Sequence, residues 1–209
     1  MENISVLGAG SWGTALAIVL AENGHRVRIW SHRQDQVDEI NTQHTNAKYL
    51  PNTTLPMNLV ATASLQQAVD ESDMIVVAVP TKAIRSVCQQ FVPFMREEKL
   101  FVHVSKGIEP DSLKRISELL AEEIPSMLRS DIVVLSGPSH AEEVVLQHPT
   151  TVTVACENMR AAERVQDAFM SSYFRVYTLE DVIGAEIGGA LKNVIALAAG
   201  AVDGLGYGD

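Results

Sequence analysis

The sequence has 209 residues, enough for one sizeable core and a small second domain at about 150 residues per domain. Hydrophobic residues make up 46% of the chain and charged residues 20%, a composition that is typical of a globular protein and excludes a disordered one. The formal net charge of −10 argues against general nucleic-acid binding and against binding to an anionic membrane surface, because both need basic patches.

From the N-terminus, short apolar runs alternate with helical patterns. The predicted strands of the first half lie at 4–7, 26–30, 59–63 and 74–79, and the predicted helices at 12–23, 34–44 and 65–69. A loop rich in Pro, Thr and Asn is predicted at 46–56. The strand at 74–79 is apolar throughout, which indicates that both of its faces are covered, as in a parallel sheet.

The second half of the chain continues the same alternation. Its predicted helices lie at 82–91, 111–124, 139–146 and 159–170, and its predicted strands at 100–104, 132–135, 151–155 and 174–178. Because parallel strands need crossover connections, the alternation predicts an α/β fold with a doubly wound, mostly parallel sheet of the Rossmann type.

The alternation stops near residue 180, and one long helix-like segment rich in Ala, Gly, Leu and Ile follows. We predict a domain boundary there, between a Rossmann-type domain at 1–180 and, at 181–209, the first helix of an all-helical domain. The segment ends in a glycine-rich turn from 204 to 209.

The segment from 182 to 202 is weakly charged and long enough to be mistaken for a membrane span. Glu186, Lys192 and Asn193 fall inside it, and charged groups at membrane depth are expensive. We therefore expect a soluble protein that does not associate with a membrane.

The cysteines favour a reducing compartment. Cys88 and Cys156 lie far apart and in no CxxC pattern, so neither a disulfide framework nor a zinc site is predicted. The chain starts at Met1 without a basic segment followed by an apolar stretch, so no signal peptide is expected. These features predict a cytoplasmic protein that uses no metal.

Gly8, Gly10 and Gly13 form a GxGxxG pattern after the first predicted strand and at the start of the first predicted helix. This context predicts a dinucleotide site, in which Gly8 permits the tight turn, Gly10 lets the backbone approach a pyrophosphate and Gly13 allows close packing. The free amides at the helix start would face the phosphates, with Ser11 and Trp12 over them. A glycine turn without a ligand, and a packing role for Trp12, are the alternatives.

The end of the second predicted strand bears on the choice between NAD and NADP. An NAD site usually has Asp or Glu there, whereas this strand ends in Trp30 and is followed by His32 and Arg33. Arg33 can pair with a 2′-phosphate through its guanidinium fork, and His32 could stack on the adenine. The pattern favours NADP(H), with NAD(H) as the alternative because of Asp35; both side chains could also be solvated.

Two further loops leave strand ends with polar content, where ligands gather in an open α/β sheet. Lys106 follows the strand at 100–104 and could bind an anion, polarise a carbonyl or simply lie on the surface. Gly137, Ser139 and Ala141 form a small-residue loop that runs into a helix start, a second candidate anion site.

Lys192 lies in the otherwise apolar last segment, near Leu191 and Ile195. An ammonium is costly to bury without a partner, and desolvation lowers a lysine pKa, which suits proton transfer near neutral pH. Asn193 beside it offers a neutral hydrogen-bonding group. The alternative is a lysine that extends to solvent from the helix edge.

Five motifs occur in order along nearly the whole chain. They are GAGSWGTALA at 8–17, KYLPN at 48–52, SKGIE at 105–109, SGPSHAEEV at 136–144 and GALKNVIALAAGAVDGLGYGD at 189–209. Together they resemble the bacterial NAD(P)-dependent glycerol-3-phosphate dehydrogenase family. The resemblance implies the reversible reduction of dihydroxyacetone phosphate to sn-glycerol 3-phosphate, which feeds glycerophospholipid synthesis, and a homodimer is implied in this way alone.

The resemblance also implies roles for single residues. Lys192 matches the family's general acid/base, which also contacts substrate, and Asn193 matches a residue that assists it. Lys106 matches a lysine that contacts both cofactor and substrate. The other matches are to substrate contacts at Gly137 and Ser139, and to cofactor contacts at Ser11, Trp12, His32, Arg33, Tyr49 and Ala141.

The family continues past residue 209 into a helical domain that supplies further substrate contacts, including an Asp and an Arg–Asn pair, and cofactor contacts. For the 209-residue chain by itself we expect the fold and weak nucleotide binding, with catalysis poor or absent. Two other functions are open. A dehydrogenase of a hydroxyacyl thioester or a sugar-acid phosphate should lack the LKNVIALAAG motif, and a non-catalytic nucleotide-binding module has no need of a lysine in an apolar helix.

Overall fold

A computed structural model describes residues 1–207, so the last two residues of the predicted glycine-rich turn, 208 and 209, lie outside the described residues. Eight strands form one sheet in the order β3-β2-β1-β4-β5-β6-β7-β8. The strands are β1 Asn3–Leu7, β2 Arg26–Trp30, β3 Leu59–Thr62, β4 Met74–Val77, β5 Lys99–His103, β6 Arg129–Ser136, β7 Thr150–Ala155 and β8 Phe174–Leu179. The helices are α1 Ser11–Glu22, α2 Gln34–Gln43, α3 Leu65–Asp70, α4 Ile84–Phe91, α5 Ile116–Glu123, α6 Ala141–Val145, α7 Met159–Phe169 and α8 Val182–Gly204.

The sheet has the doubly wound arrangement that the alternation of apolar runs predicts. All neighbouring strands pair in parallel except β6 and β7, which are antiparallel. Every residue of β4 is buried, as its continuous apolar run indicates, because separate hydrophobic clusters cover the two faces of the sheet. The predicted fold class is confirmed.

The strand order reverses between β1 and β4. The chain leaves β1 in one direction to form β2 and β3, and it returns to the other side of β1 to form β4. At such a reversal the two outgoing loops diverge and leave a crevice beyond the carboxyl ends of the strands, which is where ligands bind in open α/β sheets.

The helix predicted at 111–124 is shorter than expected, and that part of the prediction is wrong. Helix α5 begins only at Ile116, because the chain first forms an antiparallel bridge between Ile108 and Arg115. Leu113 within this excursion has a φ of 58°, in the left-handed region. The Glu109 carboxylate accepts a hydrogen bond from Ser112, so side-chain contacts stabilise the turn in place of a first helical turn.

Helix α8 packs by its first turns against β6 and β7 and leaves most of its remaining surface exposed. Leu197 and Ile195 are 77% and 70% exposed. This helix has 23 residues, and an 18-residue window within it has a mean hydropathy of 1.5, so by length and composition it is able to cross a membrane. Its one buried residue is Glu186, a carboxylate that contacts the sheet domain.

Candidate functional site

A cleft of 390 Å³ lies at the reversal between β1 and β4. The loop after β1 forms one wall, and the ends of β4 and β5 form the other, through Pro80 and Ser105. His32 and Tyr49 line the end of the cleft that lies toward β2. The cleft therefore has the position and size of a small-molecule site.

The glycine loop is closely packed on one side and open on the other. Gly8 has a φ of 120°, and a Cβ there would meet the carbonyl oxygen of Ala78 at 2.7 Å. A Cβ at Gly13 would overlap the carbonyl oxygen of Gly8. By contrast, a Cβ at Gly10 would meet nothing within 4 Å, because this residue faces the cleft. Gly8 and Gly13 are thus needed for packing, whereas Gly10 keeps the cleft open.

The start of α1 has the features of a phosphate site. Gly10 is the N-cap and provides no side chain to accept from the first amides of the helix, so those amides stay free for a ligand. The indole nitrogen of Trp12, on the first turn, is buried and has no hydrogen-bond partner among the described residues. Free amides, an unpartnered indole donor and a glycine that leaves space all fit the pyrophosphate of a dinucleotide.

Two buried side-chain amides hold the glycine loop, and sequence reasoning did not identify them. Gln36 donates to the carbonyl oxygen of Ala9 at 2.6 Å, and Asn46 donates to the same oxygen at 3.1 Å. Asn46 also donates to the hydroxyl of Thr14 on α1 at 2.8 Å. Nothing in the local sequence signals this role, because the residues meet the loop only after α2 and the following loop fold over it.

Tyr49 reaches the glycine loop through its backbone carbonyl. The hydroxyl of Ser11 donates to the carbonyl oxygen of Tyr49 at 2.9 Å, which fixes the loop that follows α2 against the start of α1. The ammonium of Lys48 lies 5.4 Å from the centre of the Tyr49 ring. Ser11 and Tyr49 therefore belong to one wall of the cleft.

The chain just after β2 carries a basic side chain, that of Arg33, which is already paired with an acid. The guanidinium of Arg33 forms an ion pair with Asp35, with Nε 3.1 Å from Oδ1. The hydrogen bond with Asp35 raises the pKa of Arg33 above its ordinary value. His32 is exposed, and its ring lies 6.4 Å from that of Trp30. A 2′-phosphate at this point would compete with Asp35 for Arg33.

Lys106 connects the glycine loop to the last helix. Its ammonium lies 5.8 Å from the centre of the Trp12 ring. Burial, the charge of Lys192 and a side-chain hydrogen bond with Lys192 together lower the pKa of Lys106 to about 8. Two amines that are 86 positions apart in the sequence are therefore neighbours, and that of Lys106 lies beside the Trp12 ring that lines the cleft.

Lys192 lines a second cavity, of 420 Å³, between α8 and the end of β6. Gly137, Pro138 and Ser136 form the opposite wall, so the structure brings Lys192 and Gly137 together. The apolar side chains around Lys192 on α8 are exposed in this chain, and Lys192 itself is half-buried. The expectation that those neighbours desolvate Lys192 is therefore not met within the described residues.

The remaining predicted residues line neither of these two cavities. Ser139 and Ala141 are buried at the start of α6, and the Ser139 hydroxyl donates to the carbonyl oxygen of Gly137 at 3.4 Å. Asn193 is exposed on α8, next to Lys192 in the sequence. Ser139 thus joins the Gly137 loop, whereas Asn193 lies apart from the other predicted residues.

Comparisons with known proteins agree along the whole chain. Residues 3–162 match the family model described as the NAD-dependent glycerol-3-phosphate dehydrogenase N-terminus. Residues 181–209 match the model described as the C-terminus of the same enzyme. The structure also superimposes on a crystal structure of glycerol-3-phosphate dehydrogenase from Coxiella burnetii, with a TM-score of 0.88 and 36% identity over 100% of this chain and 63% of that one.

Curated relatives give the same result at higher identity. The chain is 66% identical over its full length to a glycerol-3-phosphate dehydrogenase [NAD(P)+] of Lysinibacillus sphaericus, of which it covers 62%. It is 62% identical to the protein with the same description from Bacillus subtilis, of which it covers 61%. The chain thus spans about three fifths of the length of the curated relatives that it matches.

Proposed function

Since this chain belongs to the NAD-dependent glycerol-3-phosphate dehydrogenase family, we propose that the intact protein reversibly reduces dihydroxyacetone phosphate to sn-glycerol 3-phosphate with NAD(P)H. The observation that carries this proposal is the pair of neighbouring amines of Lys106 and Lys192. Lys106 lies 5.8 Å from the centre of the Trp12 ring of the GxGxxG loop, and Lys192 lines the second cavity with Gly137. A nucleotide-binding module without a reaction has no use for two cations held next to each other, because their repulsion is unfavourable unless an anion lies between them.

The glycine loop would hold the cofactor. The free amides at the start of α1 and the indole nitrogen of Trp12 suit the pyrophosphate, and Tyr49, Ala141, His32 and Arg33 are the proposed contacts with its other parts. A bound nicotinamide supplies the hydride for the carbonyl carbon. The chain's own residues bind the cofactor, orient it and exclude water from the cleft.

Lys192 is the proposed general acid/base. In the reducing direction its ammonium donates a proton to the carbonyl oxygen, where negative charge develops. Lys106 stabilises that charge and the phosphate. Because its pKa is about 8, the Lys106 amine is charged in most of the molecules at neutral pH. Gly137 and Ser139 contact the substrate, and Asn193 assists Lys192.

We propose NADP(H) as the preferred cofactor and NAD(H) as the second. Arg33 supports this choice, because β2 ends in Trp30 and provides no acid for a ribose 2′-hydroxyl. Asp35 belongs to the first turn of α2 and pairs with Arg33, so it is directed to the guanidinium. The cytoplasm, a role in glycerophospholipid synthesis and a homodimer are parts of the same proposal.

The domain division is also proposed, with residues 1–180 as the NAD(P)-binding domain and 181–209 as the start of a helical substrate domain. The exposed apolar side chains of α8 support a boundary there, because such a surface is normally covered in a soluble protein. For the 209-residue chain alone we propose weak nucleotide binding and poor or absent turnover.

The test is NADPH consumption by the intact protein with dihydroxyacetone phosphate, compared with a hydroxyacyl thioester and a sugar-acid phosphate. Lys192→Ala should lower kcat by at least about 100-fold, since general acid–base catalysis contributes about that much, and should leave the Kd for NADPH unchanged. Lys114→Ala is the matched control, because Lys114 pairs with Glu122 on the surface, 2.7 Å away, and should retain full activity. NADPH binding without turnover of any of the three substrates would overturn the proposal in favour of a binding module.

A further inference from the structure

Helix α8 carries one buried side chain, and that side chain is a carboxylate. Glu186 is 5% exposed, whereas the apolar residues Ile187, Leu191 and Val194 on the same helix are 38%, 55% and 63% exposed. Where the helix meets the sheet domain, its one buried side chain is therefore an acid that makes polar contacts. The exposed apolar side chains fit the proposed domain boundary, so the feature that needs a reason is the buried carboxylate.

We infer that Glu186 is a positioning residue, which fixes the rotation and register of α8 and thereby holds Lys192 next to Lys106. The inference rests on the proposed function, because it assigns a cause to the placement of the proposed general acid/base.

The Glu186 carboxylate accepts from both of its oxygens. Oε2 accepts from Nη1 of Arg115 at 2.7 Å and from the hydroxyl of Ser117 at 2.6 Å. Oε1 accepts from the backbone amide of Ser117 at 2.8 Å and lies 3.2 Å from Nε2 of His103. Ser117 belongs to the first turn of α5, where the amides have no intrahelical partner and the helix dipole favours an anion. Contacts from three directions allow one position of the carboxylate.

These contacts join the two segments that carry the lysines. His103 ends β5 and precedes Lys106 by three residues, while Glu186 precedes Lys192 by six residues on one continuous helix. Six residues of α-helix span about 9 Å. The position of Lys192 relative to Lys106 is therefore set by the contact between Glu186 and His103 and by the rigid helix between Glu186 and Lys192.

The other contacts of α8 with the sheet are made by small residues. The helix lines the 420 Å³ cavity with Gly184, Ala185, Gly188 and Gly189, and Gly189 lies so close to β6 that a Cβ there would meet the hydroxyl oxygen of Ser136 at 2.7 Å. The small residues let α8 approach β6 closely, and the Glu186 contacts add a polar constraint on the rotation of the helix. If the helix rotates by about 20°, an atom that lies about 6 Å from the helix axis is displaced by about 2 Å. A misplacement of about 1 Å can cost on the order of 100-fold in rate.

Burial alone would raise the pKa of Glu186, but His103 and the hydrogen bonds from Ser117 outweigh burial and lower it to about 2. The group is therefore ionised at neutral pH. A buried ion pair contributes little net stability compared with apolar packing, and its best-attested use is to specify one arrangement. This agrees with a positioning role.

The decisive variant is Glu186→Gln in the intact protein, measured without cofactor or substrate. The amide keeps the size of the side chain but replaces one acceptor oxygen with a donor that faces Arg115 and Ser117. We expect the pKa of Lys106 to rise from about 8 toward the ordinary lysine value of about 10.4, because Lys192 moves away. Amine labelling as a function of pH, read by mass spectrometry, measures this pKa, and Lys192→Ala gives the full size of the effect.

Turnover provides the second readout. With dihydroxyacetone phosphate, Glu186→Gln should lower kcat by about 10- to 100-fold and change the Kd for NADPH by less than about 2-fold, since none of the residues that contact Glu186 belongs to the glycine loop. Glu118→Gln is the matched control. Glu118 carries the same charge next to Ser117 and pairs with Arg115 at 3.1 Å, but it is exposed and forms no hydrogen bond or ion pair with α8 among the described residues. It should leave both the pKa of Lys106 and kcat unchanged.

Ser117→Ala covers the case in which Glu186→Gln does not fold. It removes one donor and leaves the backbone amide, so we expect the same two changes at smaller size. An unchanged Lys106 pKa in a folded Glu186→Gln or Ser117→Ala protein would overturn the inference, and so would an equal effect of Glu118→Gln. If the pKa responds as expected but the wild-type protein does not reduce the substrate, the positioning contact stands and the proposed function fails.

Discussion

Two alanine substitutions in the glycine loop should separate its packing role from its binding role. In Gly13→Ala the new Cβ would overlap the carbonyl oxygen of Gly8 and lie 3.1 Å from the Cβ of Ala78. In Gly10→Ala the new Cβ would meet nothing within 4 Å, and the φ of −76° at this residue suits alanine. The same methyl group is therefore added once into a filled space and once into the cleft.

The two substitutions should change stability in opposite directions. Overpacking costs about 1–3 kcal/mol, and we expect the upper end for Gly13→Ala because the obstructing atom is backbone. Alanine regains about 1 kcal/mol of helix propensity in α1, which leaves a net loss of about 2 kcal/mol. Gly10→Ala should gain about 0.4–1 kcal/mol, because alanine restricts the unfolded chain.

Thermal unfolding of the intact protein and titration with NADPH measure the two roles. Gly13→Ala should lower the Tm, whereas Gly10→Ala should keep or raise it and weaken NADPH binding by at least about 10-fold, the equivalent of one hydrogen bond to a charged group. If Gly10→Ala binds NADPH with wild-type affinity, Gly10 does not face the pyrophosphate. If Gly10→Ala lowers the Tm as much as Gly13→Ala does, Gly10 is packed against other atoms and does not face the cleft.

Three further predictions concern the walls of the cleft. Arg33→Ser should raise the KM for NADPH by about 10-fold and leave that for NADH unchanged, whereas Asp35→Asn, which frees the guanidinium, should lower the KM for NADPH. The KM for dihydroxyacetone phosphate should rise by up to ~10-fold between about pH 7 and pH 9, because Lys106 loses its proton above about 8, and Lys106→Arg should abolish this rise. Gln36→Ala should lower the free energy of unfolding in urea by about 1–3 kcal/mol through loss of its buried hydrogen bonds, while exposed Gln34→Ala should change it by less than about 0.5 kcal/mol.

Local patterns predicted the fold because the signals for it are short. The apolar run at 74–79 predicted a strand with two covered faces, and β4 is buried throughout. Gly24, predicted to end the first helix, follows α1 with a φ of 86°. The start of α5 was predicted wrongly, because the hydrogen bonds of Glu109 and the bridge at Arg115 form only when the chain turns back on itself.

The sequence by itself determined the order of strands and helices and the glycine loop between β1 and α1, because periodicity and turn residues act over a few neighbours. Only the tertiary structure decided which groups meet across long separations. Gln36 and Asn46 reach the carbonyl oxygen of Ala9 from 27 and 37 positions away, and Glu186 reaches Ser117 from 69 positions away. Such contacts depend on how the elements pack against each other, and no local pattern of residue types records that packing.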